Sequence, residues 1–257
     1  MNDWNPQQYL KFKNERTRPS VDLAARIPLK HPKKIIDIGC GPGNSAQILY
    51  NRWPSADILG VDSSRKMIEK ARADYPDQKW EIRDASNLDS PQKYDIVFSS
   101  SALQWLSNHE LLIPRLFEMV NKNGILAVQI VNNNESPIYK KLLRLAKSDP
   151  WQRFTSGCEE LQHCHSAEYY YSKLCLLTHY IDLWETTYYH IMQSHRDLIE
   201  WQKHTGMRPF LERLPDDTVR EEFEKELLKE CMANYPIQSD GRVLFIIKRL
   251  FFVARKS

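Results

Sequence analysis

Up to Val131 the chain alternates short apolar runs with segments of helical period. Lys33-Lys34-Ile35-Ile36-Asp37-Ile38-Gly39 is a β-branched run ending in glycine, the pattern of a buried parallel strand. Asn44 or Ser45 is placed to cap a following helix, whose apolar positions Ile48, Leu49 and Trp53 precede a stop at Pro54. A second strand covers Ile58 to Asp62. Ser63 or Ser64 then caps a helix with Met67, Ile68, Ala71 and Tyr75 at helical spacing, ended by Pro76. Trp80 and Ile82 mark a third strand, Asp95 to Ser99 a fourth and Gly124 to Val131 a fifth, with a helix over Leu111 to Val120 between the last two. This alternation predicts an α/β fold with a mostly parallel sheet covered on both faces.

The periodicity then changes. Residues 138–180 are helix-like, aromatic and irregular, and include Tyr169-Tyr170-Tyr171. Ile181 to Met192 reads as a strand, Arg196 to Thr205 as a helix, Thr218 to Asn234 as a charged helix and Arg242 to Arg255 as a last strand. Two late strands separated by helices predict a sheet extension with a helical cap. The chain thus reads as an N-terminal helical lid (1–30), an α/β core (31–132) and a sheet extension with helical insertions (133–257).

Composition sharpens this only at the margins. With 257 residues, 42% hydrophobic and 27% charged, the balance is globular and excludes wholesale disorder. A net charge of +3 without a basic stripe gives no reason to expect a nucleic-acid partner. The apolar stretch Leu244 to Ala254 is broken by Lys248 and Arg249, so no membrane span is expected. Met1 to Pro6 lacks the basic flank and apolar core of a secretory leader. Five irregularly spaced cysteines (40, 158, 164, 175 and 231) fit reduced thiols, so a cytoplasmic location is expected; the chain is also expected to act as a monomer. Cys158, His163, Cys164 and His165 match no zinc spacing, and no metal is expected. Lys30, His31, Lys33 and Lys34 read as a solvated strand entry, and Glu221 to Glu230 as a surface helix.

The chemistry concentrates where the glycines do. The chain has eight glycines, and Gly39, Gly41 and Gly43 all fall in the turn after the first strand. Such a turn lets a ligand approach the backbone, and the helix after it presents free N–H groups. Asp62 ends the second strand about 20 residues beyond, where a carboxylate can accept both hydroxyls of a ribose. The spacing is G-x-G-x-G, with Asn44 where a dinucleotide site has its last glycine, which argues against a nicotinamide dehydrogenase. Cys40 reads as a small buried filler, not a nucleophile.

Asp37 to Gly43, Val61-Asp62-Ser63-Ser64, Arg83-Asp84-Ala85 and Tyr94 to Ser99 resemble the motifs of class I S-adenosylmethionine-dependent methyltransferases. A closer resemblance, to the trans-aconitate 2-methyltransferase family, covers nearly the whole chain. Its motifs here are Asp3-Trp4-Asn5-Pro6, Tyr9-Leu10, Glu15-Arg16-Thr17-Arg18-Pro19, Leu103-Gln104-Trp105-Leu106, Trp184 to His190, Thr205 to Pro209 and Arg249 to Arg255. Residues 133–180 depart from the family pattern. The resemblance implies a Rossmann-like seven-stranded sheet with an antiparallel last strand, S-adenosyl-L-methionine as cofactor with S-adenosylhomocysteine as product, and a small polycarboxylate, trans-aconitate, as acceptor. For the donor it implies Gly39, Cys40, Gly41, Gly43, Asn44, Asp62, Ser63 and Met67, with Tyr9 and Arg18 from the lid. Asp84 and Ala85 would flank the adenine, and Ser99, Ser100 and Ser101 would line the methionine end.

A carboxylate acceptor is already ionised at neutral pH, so no catalytic base is expected and catalysis is positioning. The acceptor still needs cationic and hydrogen-bonding clamps, for which arginine's planar fork is suited. The candidates are Arg16 and Arg18, Gln104 and Trp105, Tyr188 and His190 on one strand face, and Arg208. Two alternatives stand beside this reading: a methyltransferase for another carboxylic acid, acyl-carrier-bound or monocarboxylate, and a catalytically silent S-adenosylmethionine-binding module.

Overall fold

Ile35, Ile36 and Ile38 have no exposed surface, so strand β1 (Lys34–Ile38) runs through the interior of a sheet, flanked on both sides. It pairs in parallel with β2 (Asp57–Asp62), Ile36 opposite Leu59, and with β4 (Tyr94–Ser100), Ile36 opposite Val97. The computed structural model describes Trp4 and residues 10–257. Strands β3 (Lys79–Ile82), β5 (Val120–Asn132), β6 (Tyr180–Met192) and β7 (Val243–Arg255) complete a seven-stranded sheet of order β3-β2-β1-β4-β5-β7-β6 among the described residues. The first five strands are parallel, and β5-β7-β6 is antiparallel, as expected from the sequence.

The chain divides into two compact units. The larger is Asp3–Val131, His165–Thr186 and Arg249–Ser257; the smaller comprises Asn132–Cys164 and Thr187–Lys248 among the described residues. In the larger unit α1 (Lys13–Arg26), α2 (Asn44–Arg52), α3 (Arg65–Asp74) and α4 (His109–Glu118) accompany the parallel strands. The smaller unit begins with α5 (Pro137–Ala146), which buries Ile138, Leu142 and Leu145, and the short α6 (Gln152–Thr155). Helix α7 (Ala167–Leu174) belongs to the larger unit. The smaller one continues with α8 (His195–Lys203), the short α9 (Arg208–Leu211) and α10 (Asp217–Met232). The charged segment read as a surface helix is α10, and one of its faces is core: Phe223, Leu227 and Cys231 are buried, and Trp151 meets the Phe223 ring edge-on at 5.0 Å.

Two local expectations change. Neither Asn44 nor Ser45 caps α2. The cap is Gly43 at φ 93°, where a Cβ would sit 2.8–3.0 Å from the Tyr75 and Trp80 rings, so only glycine fits both the backbone and the space. Ser45 is drawn to the strand instead, its hydroxyl donating to Asp37 Oδ2 at 2.5 Å. The expected cap of the next helix is Ser64, whose side chain accepts from the Met67 N–H. Strand β5 starts at Val120, earlier than apolarity predicts, because an irregularity between Tyr94 and Ile96 lets Tyr94 pair with Val120 before regular pairing resumes at Ile125. No helix among the described residues is long and apolar enough to cross a membrane.

Asp37 is fully buried beneath the glycine turn. Desolvation dominates and Asp62 adds like-charge repulsion, against the opposing Ser45 hydrogen bond, so its carboxyl is raised to about 7. The native state therefore keeps a proton that the unfolded chain loses near pH 4, and the associated stability is present at low pH and lost as pH rises through about 7. Between pH 5 and 7.5 this one group should cost about 2.5 kcal/mol of folding stability. Denaturant unfolding of Asp37→Asn should lack that portion of the slope, whereas an identical pH dependence in both proteins would show the carboxyl ionised throughout.

Candidate active site

A parallel sheet presents the carboxyl ends of its strands, and the turns leaving them, along one edge. Here the turn after β1 is shaped by backbone: Gly39 has φ 71° and a Cβ on it would stand 2.2 Å from the Ala102 Cβ. Gly41 has φ 55°, and a Cβ there would meet nothing within 4 Å, so open space lies beside the turn. The turn is held from the next strand end. Asp62 Oδ2 accepts the Gly41 N–H at 2.9 Å while its Oδ1 accepts the Ser64 N–H at 2.8 Å. Gly39 and Cys40 donate to the Val61 carbonyl at 2.8 and 3.0 Å. After β3, Asp84 Oδ1 accepts the Ser86 N–H at 2.8 Å and fixes a similar turn.

These turns wall a cavity within the larger unit. Gly39, Cys40, Gly41, Asn44, Asp62, Ser63, Met67, Asp84, Ala85, Ser100, Arg16 and Trp105 line it, as does Ser101. Burial pushes the Cys40 thiol well above its ordinary range, with Asp37 and Asp62 adding to the effect, so it is an inert part of the wall.

Other expected residues lie elsewhere. Gly43 is the α2 cap, and Ser99 is fully buried with its hydroxyl donating to the Ile38 carbonyl at 2.9 Å; neither lines the cavity. Gln104 is buried and donates its amide N–H to the Ser101 carbonyl at 2.7 Å, so it braces the turn after β4. Trp105 takes the Trp4 ring edge-on at 5.6 Å. Tyr9 lies outside the described residues. Arg16 and Arg18 part company: Arg16 is buried on the cavity side of α1, and Arg18 is exposed and absent from the lining. Residues two apart on a helix point about 200° apart, while Ser20, at i+4 from Arg16, shares its face and also lines the cavity. That spacing was the available signal for Ser20.

Tyr188, His190 and Arg208 belong to the smaller unit. Strand alternation works as expected there: Tyr188 and His190 are buried on one face and Tyr189 is exposed. His190 stacks on Trp201 at 5.0 Å and lies parallel to Tyr188 at 6.2 Å. Arg208 Nε donates to Glu212 Oε1 at 2.9 Å.

Comparison with known proteins now gives the class. A methyltransferase-domain family model matches residues 35–124. Solved structures share the fold. The YcgJ protein of Bacillus subtilis superposes with a TM-score of 0.60 at 15% identity, covering 93% of this chain and 98% of that one. Haemonchus contortus phosphoethanolamine N-methyltransferase 2, solved with S-adenosyl-L-methionine, gives 0.56 at 14%, covering 93% and 53%. Relatives matched from end to end are more specific. The trans-aconitate 2-methyltransferase of Methylobacterium nodulans is 40% identical over 258 residues, covering 100% of both chains, and that of Escherichia coli O139:H28 is 40% identical over 256 residues, covering 100% and 99%. The chain belongs to the trans-aconitate 2-methyltransferase family. It is a methyltransferase dependent on S-adenosyl-L-methionine.

The residues present suit that cofactor: a glycine turn with room beside it, an acid at the end of β2 and polar turns after β2 and β3. Asp62→Ala deletes both carboxylate acceptors that hold the turn, so S-adenosylhomocysteine affinity should fall at least tenfold in calorimetry, at unchanged secondary structure by circular dichroism. Affinity within twofold of wild type would show that the turn keeps its shape unaided.

Proposed function

We propose that the chain transfers the methyl group of S-adenosyl-L-methionine to a carboxylate oxygen of trans-aconitate, giving the monomethyl ester and S-adenosylhomocysteine. One observation carries the acceptor side: a buried arginine, Arg16, lines the same cavity as Asp62 and Asp84. The acidic and glycine turns suit a ribose and an adenine, while Arg16, with Ser20 and Trp105, suits an anion and its apolar backbone. The full-length relatives named for trans-aconitate support the choice of anion.

In this reading Gly39, Cys40, Gly41, Asn44, Asp62, Ser63, Met67, Asp84 and Ala85 hold the donor, and Ser100 faces its methionine end. The bound donor supplies an electrophilic methyl group on a sulfonium. Everything else is positioning by the chain. The acceptor carboxyl titrates near ~4 and arrives ionised, so no side chain has to remove a proton. Arg16 offers a planar pair of donors that fixes a carboxylate in orientation as well as place. Trp105 and Leu106 exclude water from the cavity wall they form. Alignment of this kind is worth on the order of 7–11 kcal/mol against the same reaction in solution. On this reading the acceptor is a free small molecule, and the enzyme is expected to act as a monomer in the cytoplasm.

Steady-state assays with trans-aconitate, cis-aconitate, isocitrate and a malonyl thioester test the acceptor, and trans-aconitate should have the highest kcat/KM. A thioester as the best substrate would place the enzyme on acyl carriers instead. Arg16→Lys keeps the charge and loses the fork, so it should raise the trans-aconitate KM tenfold or more while S-adenosylhomocysteine affinity stays within twofold. The rate should not rise between pH 7 and about 8.5, because neither the already ionised acceptor carboxylate nor arginine titrates there. A steep rise across that window, removed by replacing one tyrosine or histidine, would reveal a general base and a hydroxyl or amine acceptor.

A further inference from the structure

Arg249, on β7, is 3% exposed, yet it does not stand in the wall of the cavity. Its Nη1 donates to Ser101 Oγ at 2.8 Å and to Gln129 Oε1 at 3.3 Å. Ser101 does line the cavity, and its backbone is strained: φ is 59°, in the left-handed region that a non-glycine residue seldom occupies. The strain is held from several sides. The Ser101 N–H donates to the Gln129 carbonyl at 3.0 Å, the Ser101 carbonyl accepts from Gln104 Nε2 at 2.7 Å, and its hydroxyl donates to Gln129 Oε1 at 2.7 Å. A conformation paid for in this way points to a use for the side chain it presents.

Gln129 is fully buried, and its Oε1 is the target of three donors: Ser101 Oγ, Ser100 Oγ at 3.1 Å and Arg249 Nη1. An amide oxygen has two lone pairs, so one donor is surplus. Ser101 is the one best able to turn away, because it faces the cavity and Arg249 remains beneath it. A guanidinium N–H directed at the hydroxyl oxygen polarises the O–H bond and makes it a stronger donor to an anion.

Resting on the acceptor reading above, we propose that Ser101 Oγ receives a carboxylate of the acceptor, with Arg249 as a positioning residue that polarises and aims it. This moves Ser101 from the methionine end of the donor, where the family resemblance puts it, to the acceptor. It also gives a polycarboxylate a second anchor besides Arg16.

Both sources of a carboxylate, the acceptor and the amino-acid end of the donor, are separated by measuring KM for trans-aconitate beside the Kd of S-adenosylhomocysteine. Ser101→Gly removes the hydroxyl and accepts the positive φ, so folding is preserved. It should raise the KM tenfold or more, with kcat within threefold and Kd within twofold of wild type. Arg249→Met should raise the KM by a comparable factor, Arg249→Lys by less, and the Ser101→Gly/Arg249→Met double variant by little more than either single change, since the two act through one contact. If Ser101→Gly raises the Kd tenfold and spares the KM, the hydroxyl serves the donor and the proposal falls. It falls equally if neither constant moves, or if the two single effects multiply in the double variant. A wild-type enzyme inactive on trans-aconitate would overturn the acceptor reading itself and this assignment with it, a result distinct from any confined to the variants.

Discussion

The Asp62 carboxylate accepts two main-chain N–H groups at once, one from the glycine turn after β1 and one from the turn that starts α3. Both turns leave neighbouring strands of a parallel sheet, and neither has side chains bulky enough to fix its own shape. A charged acceptor makes each bond stronger than a neutral pair would be, so the Asp62 side chain, together with the Val61 carbonyl that accepts the Gly39 and Cys40 N–H groups, sets where the Gly39–Gly41 backbone lies relative to the end of β2. The room beside Gly41, the placement of Ser63 and Met67 and the reach of the cavity all follow from that placement. Behind it, Asp37 carries its own burden. A carboxyl raised to about 7 beside an ionised one lets the pair avoid two full charges under the turn, while Ser45 ties it to α2.

The polar groups of the cavity come from different parts of the chain. Acidic and glycine-rich turns come from the ends of β1, β2 and β3, while α1 and the turn after β4 contribute Arg16, Ser20, Ser101 and Trp105. Positive charge in the wall comes from Arg16, on a helix that precedes the sheet, and from Arg83 after β3, while Arg249 of the last strand stands behind Ser101. A carboxylate nucleophile needs nothing more reactive than this, since its ionisation is complete before it binds.

How much of this could be read from the sequence depended on how local the cause was. Strands β1 to β5, the glycine turn and Asp62 were legible because apolar runs, glycine spacing and strand ends are local signals. Arg16 and Arg18 looked alike as an Arg-x-Arg pair, and only the helical face shared with Ser20, Leu23 and Ile27 separates the buried one from the exposed one. Gly43 as a cap was hidden because its reason is tertiary, the rings of Tyr75 and Trp80. Ser101 looked like one serine of three. Its strain and its tie to Arg249 depend on partners 28 and 148 residues away, which no spacing rule reports. Tyr188 and His190 were correctly placed on one strand face, yet the face they share is packed with Trp201, an outcome that alternation alone does not distinguish from a binding surface.

The chemistry itself is tested most directly by following the methyl group. With S-adenosyl-L-methionine carrying a ¹³C-labelled methyl and trans-aconitate as acceptor, the label should appear in an NMR spectrum as a single O-methyl ester resonance, matched by an equal amount of S-adenosylhomocysteine. Label found on nitrogen, carbon or a hydroxyl oxygen, or S-adenosylhomocysteine formed without any ester, would contradict carboxyl methylation by this site.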